Sequence, residues 1–116
     1  MTIGIVGGMG PETTSAFYLR LIELSRKYDR SYPHIIMDSI PLDFCIEDDM
    51  IINVKNQQKL LPFLVDSVNR LQHTDCIVIP CNTAHIFIDG LRKQSIVPIL
   101  SIVEEYGGKV VSKPTL

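Results

Sequence analysis

Four short apolar segments, separated by longer amphipathic stretches, constrain this fold more than any other feature of the sequence. They are Ile3–Val6, His34–Ser39 (HIIMDS), Cys76–Ile79 (CIVI) and Ile96–Ile99 (IVPI). Each is aliphatic or β-branched and too short for a helix, as expected of strands buried on both faces of a parallel sheet. Lys109–Val111 is the candidate for a fifth. Between the strands, Ala16, Phe17, Leu19, Leu21, Ile22 and Leu24 recur at helical spacings after Pro11, which suits a first helical position. A second helix carries Leu60, Leu61, Leu64, Val65, Val68 and Leu71, and Pro62 inside that stripe predicts a kink or a helix start. Thr83–Lys93 reads as a third helix with Ile86, Phe87 and Leu91 inward. Ser101–Tyr106 reads as a short fourth, stopped by Gly107-Gly108. Strand–helix alternation of this kind implies right-handed crossovers. The expected fold is an α/β three-layer sandwich around a parallel sheet of four to five strands.

The 116 residues suffice for one domain, expected to span 1–116. The acidic stretch Glu47–Asp49 reads as a solvated loop, and the tail after Gly107 as an end or a truncation. A formal charge of −2 offers no basic excess for phosphates, so neither a nucleic-acid nor a membrane partner is expected. No apolar run approaches the roughly 20 residues that span a bilayer, and the N-terminus lacks the basic start of a signal peptide. The three cysteines show no CxxC or Cys/His ligand spacing. Neither a disulfide framework nor a metal site is therefore expected, and free thiols fit a cytoplasmic location.

In open parallel sheets, ligands bind beyond the carboxyl ends of the strands, where helices begin. Two junctions there could carry chemistry. In GGMGPETT, after the first strand, Gly7, Gly8 and Gly10 allow close backbone approach and N–H donation to an anion. The spacing matches neither a GxGxxG nor a Walker A loop, and a tight turn that uses glycine for geometry alone explains it equally well. In PCNTAH, after the third strand, Cys81 stands before a helix opened by Asn82 and Thr83. A thiol so placed is expected to ionise below its free value of about 8.5. Asn82 and Thr83 could serve simply as helix caps, or could hold a carboxylate beside the thiol. Cys76 reads as core and Cys45 as a loop residue near the same edge. His85, one turn beyond Cys81, reads as a capping or packing side chain. Asp38 and Asp43 lie near the edge with no partner evident in sequence.

At these motifs the chain resembles the aspartate/glutamate racemase family, the cofactor-independent amino-acid racemases. The matching pieces are IGIVGGMGPETT and, some seventy residues on, IVIPCNTAH, with IVPILSI afterwards; the likeness runs to about Ile102. The resemblance implies two similar flavodoxin-like lobes facing each other across a cleft, each supplying one cysteine. One thiolate removes the Cα proton and the opposing thiol protonates the other face, with no pyridoxal phosphate and no metal. Cys81 matches the catalytic cysteine of the first lobe. Asn82 and Thr83 match residues that hold the substrate α-carboxylate, and Met9 with Gly8 and Gly10 matches the loop lining the pocket.

Two departures stand out. Many members carry an Asp-Arg pair after the second strand, whose Arg holds a side-chain carboxylate. Here Asp43 is followed by Phe44, and Arg30 precedes the strand. That puts acidic-substrate specificity in question, although an amino acid or dicarboxylate remains the expected ligand. The second lobe and its cysteine motif are also absent, so the expected partner is a second copy of the chain or a separate second lobe. Two further readings stand beside the racemase lobe. One is an inactive half-domain that binds small carboxylates; the other is a related cysteine-dependent isomerase or decarboxylase.

Overall fold

The computed structural model describes residues 1–49 and 57–100. The order is β1 (Thr2–Gly7), α1 (Pro11–Tyr28), β2 (His34–Ser39), α2 (Phe44–Glu47), a 3₁₀ turn (Gln57–Leu60) and α3 (Leu61–Arg70). Then come β3 (Cys76–Val78), a second 3₁₀ turn (Thr83–Phe87), α4 (Ile88–Gln94) and β4 (Ile99–Leu100). The four strands form one sheet in the order β2-β1-β3-β4, every pairing parallel. This is the expected α/β architecture. The expected elements at Ser101–Tyr106 and Lys109–Val111 lie outside the described residues.

Right-handed crossovers in this strand order send α1 to one face of the sheet and α3 and α4 to the other. The principal core fills the α3/α4 face. Val6, Ile77, Ile79 and Ile99 meet Leu60, Leu64, Val68 and Leu71 from one helical segment and Ile88 and Leu91 from the next. Full burial of a Leu or Ile side chain contributes about 1.5–3 kcal/mol, so this stripe accounts for the order of α3. Pro62 starts the helix rather than kinking it: α3 begins at Leu61, and the proline sits where no intrahelical N–H is required.

Beyond single-residue shifts at the ends of β1 and β3, two elements differ from the sequence reading. Among the described residues β4 is Ile99–Leu100, so it starts three residues later than the expected Ile96–Ile99. Ile96 N–H donates to Gln72 Oε1 at 2.8 Å and Val97 N–H to Ser95 Oγ at 3.1 Å, while Pro98 has no N–H to give. The third helix opens as a 3₁₀ turn; its buried residues are Ala84, Ile88 and Leu91, with Phe87 partly buried against the same core, as expected of Phe87 and Leu91. Ile86, expected inward, is 60% exposed. The acidic stretch is also more ordered than a simple loop. Asp43 caps α2 by accepting the Ile46 N–H at 2.9 Å, and Glu47 closes that short helix.

Candidate active site

Register brings the two motifs together. In the β1–β3 pairing, Ile3 faces Cys76 and Ile5 faces Val78. The pairing ends there, and the glycine loop and the Cys81 turn follow at the same, carboxyl end of these two strands. On the other side Gly7 faces Ser39, and Ile40 N–H donates to the Gly7 carbonyl at 2.8 Å. Gly8 therefore packs against Ile40 at the carboxyl end of the sheet, where the Cys81 turn also leaves β3.

The glycine loop is shaped first by its own packing. Gly8 has φ +95° and Gly10 φ +85°, left-handed values that strain any side chain. A Cβ on Gly8 would stand 2.8 Å from both the nitrogen and the oxygen of Ile40, so this residue is glycine for close backbone approach. Met9, expected in the loop that lines the pocket, has its side chain 4% exposed and in the core beneath. What Met9 can offer a ligand is its backbone. Among the described residues, the N–H groups of Met9 and Gly10 make no hydrogen bond.

The second motif turns sharply. Pro80 is fully buried, and Cys81 N–H donates back to the Ile79 carbonyl at 2.9 Å, a three-residue turn that lifts Cys81 off the sheet. The thiol is partly buried against the core cluster. Burial pushes the Cys81 thiol above its ordinary pKa; the backbone N–H groups of Ala84 and Thr83 and the Thr83 hydroxyl pull the other way without prevailing. The expected depression of this pKa is therefore reversed. Desolvation of the thiolate outweighs donors supplied by a single 3₁₀ turn.

The neighbours divide into committed and uncommitted groups. Asn82 lies before the 3₁₀ turn but makes no side-chain cap, and its side chain is exposed. Its capping explanation fails, which leaves the amide available to a ligand. Thr83 turns its hydroxyl to Cys81. His85 Nδ1 lies 2.6 Å from the Cys81 carbonyl. A carbonyl only accepts, so Nδ1 carries the proton and the ring holds the Cys81 peptide in place. Cys76 is buried in the sheet and Cys45 is exposed, while His34 sits at the amino end of β2. Asp38 pairs with Arg70 at 2.8 Å, and that bond lowers its pKa. Phe44, where an arginine was expected, is 81% exposed at the start of α2.

Sequence reasoning missed Thr14, which is buried behind the glycine loop. A signal existed: a threonine four residues after Gly10 faces back over the first turn of α1. Among the described residues, no group of three His, Cys, Asp or Glu side chains gathers as a metal site would require. No described helix is long and apolar enough to cross a membrane.

Comparison with known proteins agrees with the fold. The chain is 34% identical over 110 residues to the broad-specificity amino-acid racemase RacX of Bacillus subtilis (strain 168), covering 89% of this chain and 46% of that protein. It superposes with a TM-score of 0.76 and 26% identity on the crystal structure of an aspartate racemase homologue from Pyrococcus horikoshii OT3. That match covers 97% of this chain and 49% of the homologue. The chain thus spans about half the length of the relatives it matches. A sequence model of Asp/Glu/hydantoin racemases matches residues 6–113. The chain belongs to the Asp/Glu/hydantoin racemase family.

Proposed function

We propose that this chain is one lobe of an amino-acid racemase and that Cys81 exchanges the Cα proton of a bound amino acid. What supports this reading is that the glycine loop and the Cys81 turn follow the carboxyl ends of two adjacent parallel strands, with Asn82 exposed and making no cap. The α-carboxylate is held by the Asn82 amide and by backbone N–H groups of the glycine loop. Thr83 and Ala84 N–H groups support the thiolate.

A Cα–H beside a carboxylate is a very weak acid, so the reaction needs a positioned base and donors for the charge that develops on the carboxylate oxygens. The Cys81 thiolate takes the Cα proton and becomes a thiol, and the Cα–H electron pair passes into an enolate-like carbanion. A second thiol on the opposite face donates its proton to Cα and becomes the thiolate. Both protons are accounted for, and the site is left ready for the reverse turnover. A thiol raised by burial makes a stronger base once ionised.

The second thiol belongs to a second lobe or to a second copy of this chain across a two-fold axis, with the substrate enclosed between them and water excluded. Phe44 in place of an arginine leaves α2 without a bidentate partner for a side-chain carboxylate, so an amino acid with a neutral side chain fits this lobe better than aspartate. The raised Cys81 pKa favours a second reading, in which the isolated chain binds small carboxylates without turnover. Chiral chromatography after incubation with L-alanine and L-aspartate tests the proposal, with Cys81→Ser as control. Appearance of the D-form that depends on Cys81 supports it. Binding without any D-form, in a sample containing face-to-face dimers, favours the binding reading.

A further inference from the structure

One buried side chain holds the glycine loop from behind. Gly8 N–H donates to Thr14 Oγ1 at 3.1 Å, and the Thr14 hydroxyl donates to the Gly10 carbonyl at 3.4 Å. That carbonyl also accepts the backbone N–H of Thr14 at 3.2 Å. The Thr14 methyl occupies the space that a side chain on Gly7 would need. One residue of α1 thus touches the first, second and last glycines of the loop.

This arrangement decides which loop donors remain for a ligand. Gly8 N–H is used internally, whereas Met9 and Gly10 N–H groups make no hydrogen bond among the described residues. The two left-handed residues are those on either side of Met9, and both are tied to the same hydroxyl. Met9 is anchored separately by its side chain in the core. Without the hydroxyl, Gly8 and Gly10 regain the wide conformational range that glycine permits, and the N–H groups between them lose a fixed direction.

We propose that Thr14 is a positioning residue for the Cys81 site: its hydroxyl, shared between Gly8 N–H and the Gly10 carbonyl, aims the Met9 and Gly10 N–H groups at the carboxylate of the bound amino acid. The inference rests on the reading that this site takes an amino acid. It goes beyond that reading by giving the loop's geometry to a residue that never touches the ligand.

The test compares Thr14→Val, which keeps the shape and removes the hydroxyl, with Thr14→Ser, which keeps the hydroxyl. Binding is read as the L-alanine concentration that half-protects Cys81 from iodoacetamide, in a Cys45→Ser background. Thr14→Val is expected to raise that concentration about tenfold, the loss of one charge-assisted hydrogen bond. The alkylation rate without alanine is expected to stay within about twofold, since Thr14 does not contact the thiol; general destabilisation would instead raise that rate. Thr14→Ser is expected to restore protection. Amide exchange by NMR in the unsubstituted chain gives a readout that needs no folded variant: Gly8 N–H should exchange slowly.

Three results overturn the proposal: equal protection in Thr14→Val, no rescue by Thr14→Ser, or a Gly8 amide that exchanges as freely as an exposed one. If L-alanine fails to protect the unsubstituted chain, the functional reading falls and takes this inference with it. If the unsubstituted chain is protected and Thr14→Val equally so, only the role of Thr14 falls.

Discussion

Replacing Gly8 by alanine separates two reasons for a glycine, and the structure sets a different magnitude for each. At Gly8 both operate: φ is +95°, and a Cβ would stand 2.8 Å from the backbone nitrogen and oxygen of Ile40. Left-handed strain costs about 1–2 kcal/mol. Ile40 cannot withdraw without breaking its 2.8 Å hydrogen bond to Gly7, so overpacking adds about 1–3 kcal/mol. Gly8→Ala is therefore expected to destabilise by about 2–5 kcal/mol, a large share of the roughly 5–15 kcal/mol that holds a domain folded. Gly10→Ala carries the strain alone, about 1–2 kcal/mol, because its nearest neighbour, Thr13 Oγ1, is 3.6 Å away. Gly90, in α4, meets nothing within 4 Å, and alanine there should stabilise by about 0.5–1 kcal/mol. Urea unfolding followed by circular dichroism measures all three. Equal destabilisation by Gly8→Ala and Gly10→Ala, within about 0.5 kcal/mol, would refute the close approach of Gly8 to Ile40.

Three further residues carry testable outcomes. Iodoacetamide labelling of Cys81 in a Cys45→Ser background should reach half its maximal rate above the free-thiol value of about 8.5, and a lower midpoint would contradict the dominance of burial. The same shift keeps the native thiol protonated where the unfolded one ionises, so stability should decline as pH rises from the unfolded value toward the folded one. Asn82→Ala should change stability by less than about 0.5 kcal/mol, against the roughly 1 kcal/mol lost with a true cap, while weakening amino-acid binding; a full capping loss in urea unfolding would return Asn82 to a structural role. Asp38→Asn should cost at most about 1 kcal/mol, because Arg70 is half-exposed and its ion pair is screened. Arg70 lowers the Asp38 pKa, so this contribution is present above the ordinary carboxylate range and disappears as pH falls through the folded value; a pH-independent difference between Asp38→Asn and the unsubstituted chain would contradict it.

The parts of the fold legible in the sequence are those set by periodicity. The strands at Thr2–Gly7 and His34–Ser39 and the stripe from Leu60 to Leu71 follow from apolar patterning, and Pro62 marks a start because proline has only a few tolerated helical positions. The misplaced parts depend on contacts between distant segments. Gln72, 24 residues away, takes the Ile96 N–H and so shortens β4, and no local pattern announces that bond. Ile86 faces outward because the stripe that packs inward is Ala84, Ile88 and Leu91, and the apolar run Ile86–Ile88 alone does not say which of its members joins it. At the site, the motifs located Cys81, but neither the sign of its pKa shift nor the burial of Met9 could be read from them. Both depend on how deeply the turn at Pro80 and the loop at Gly8 sit against the core. Thr14 was legible in principle, since it lies one helical turn beyond Gly10, but its hydroxyl gains meaning only once both loop glycines are known to be left-handed.

The central claim is that Cys81 exchanges the Cα proton, and a single lobe suffices to test it. A lone thiolate that removes this proton returns one from solvent to the same face. In D₂O it therefore leaves deuterium at Cα with the configuration unchanged, whereas two opposed thiols leave deuterium with inversion. Mass spectrometry of L-alanine incubated with the chain in D₂O reads the exchange, and chiral chromatography reads the face. Cys81-dependent deuterium at Cα, lost in Cys81→Ser, is the expected result, with retention in a monomeric sample and inversion where two thiols face each other. Equal deuterium incorporation with Cys81→Ser, or none at any pH up to full ionisation of the thiol, would contradict the account.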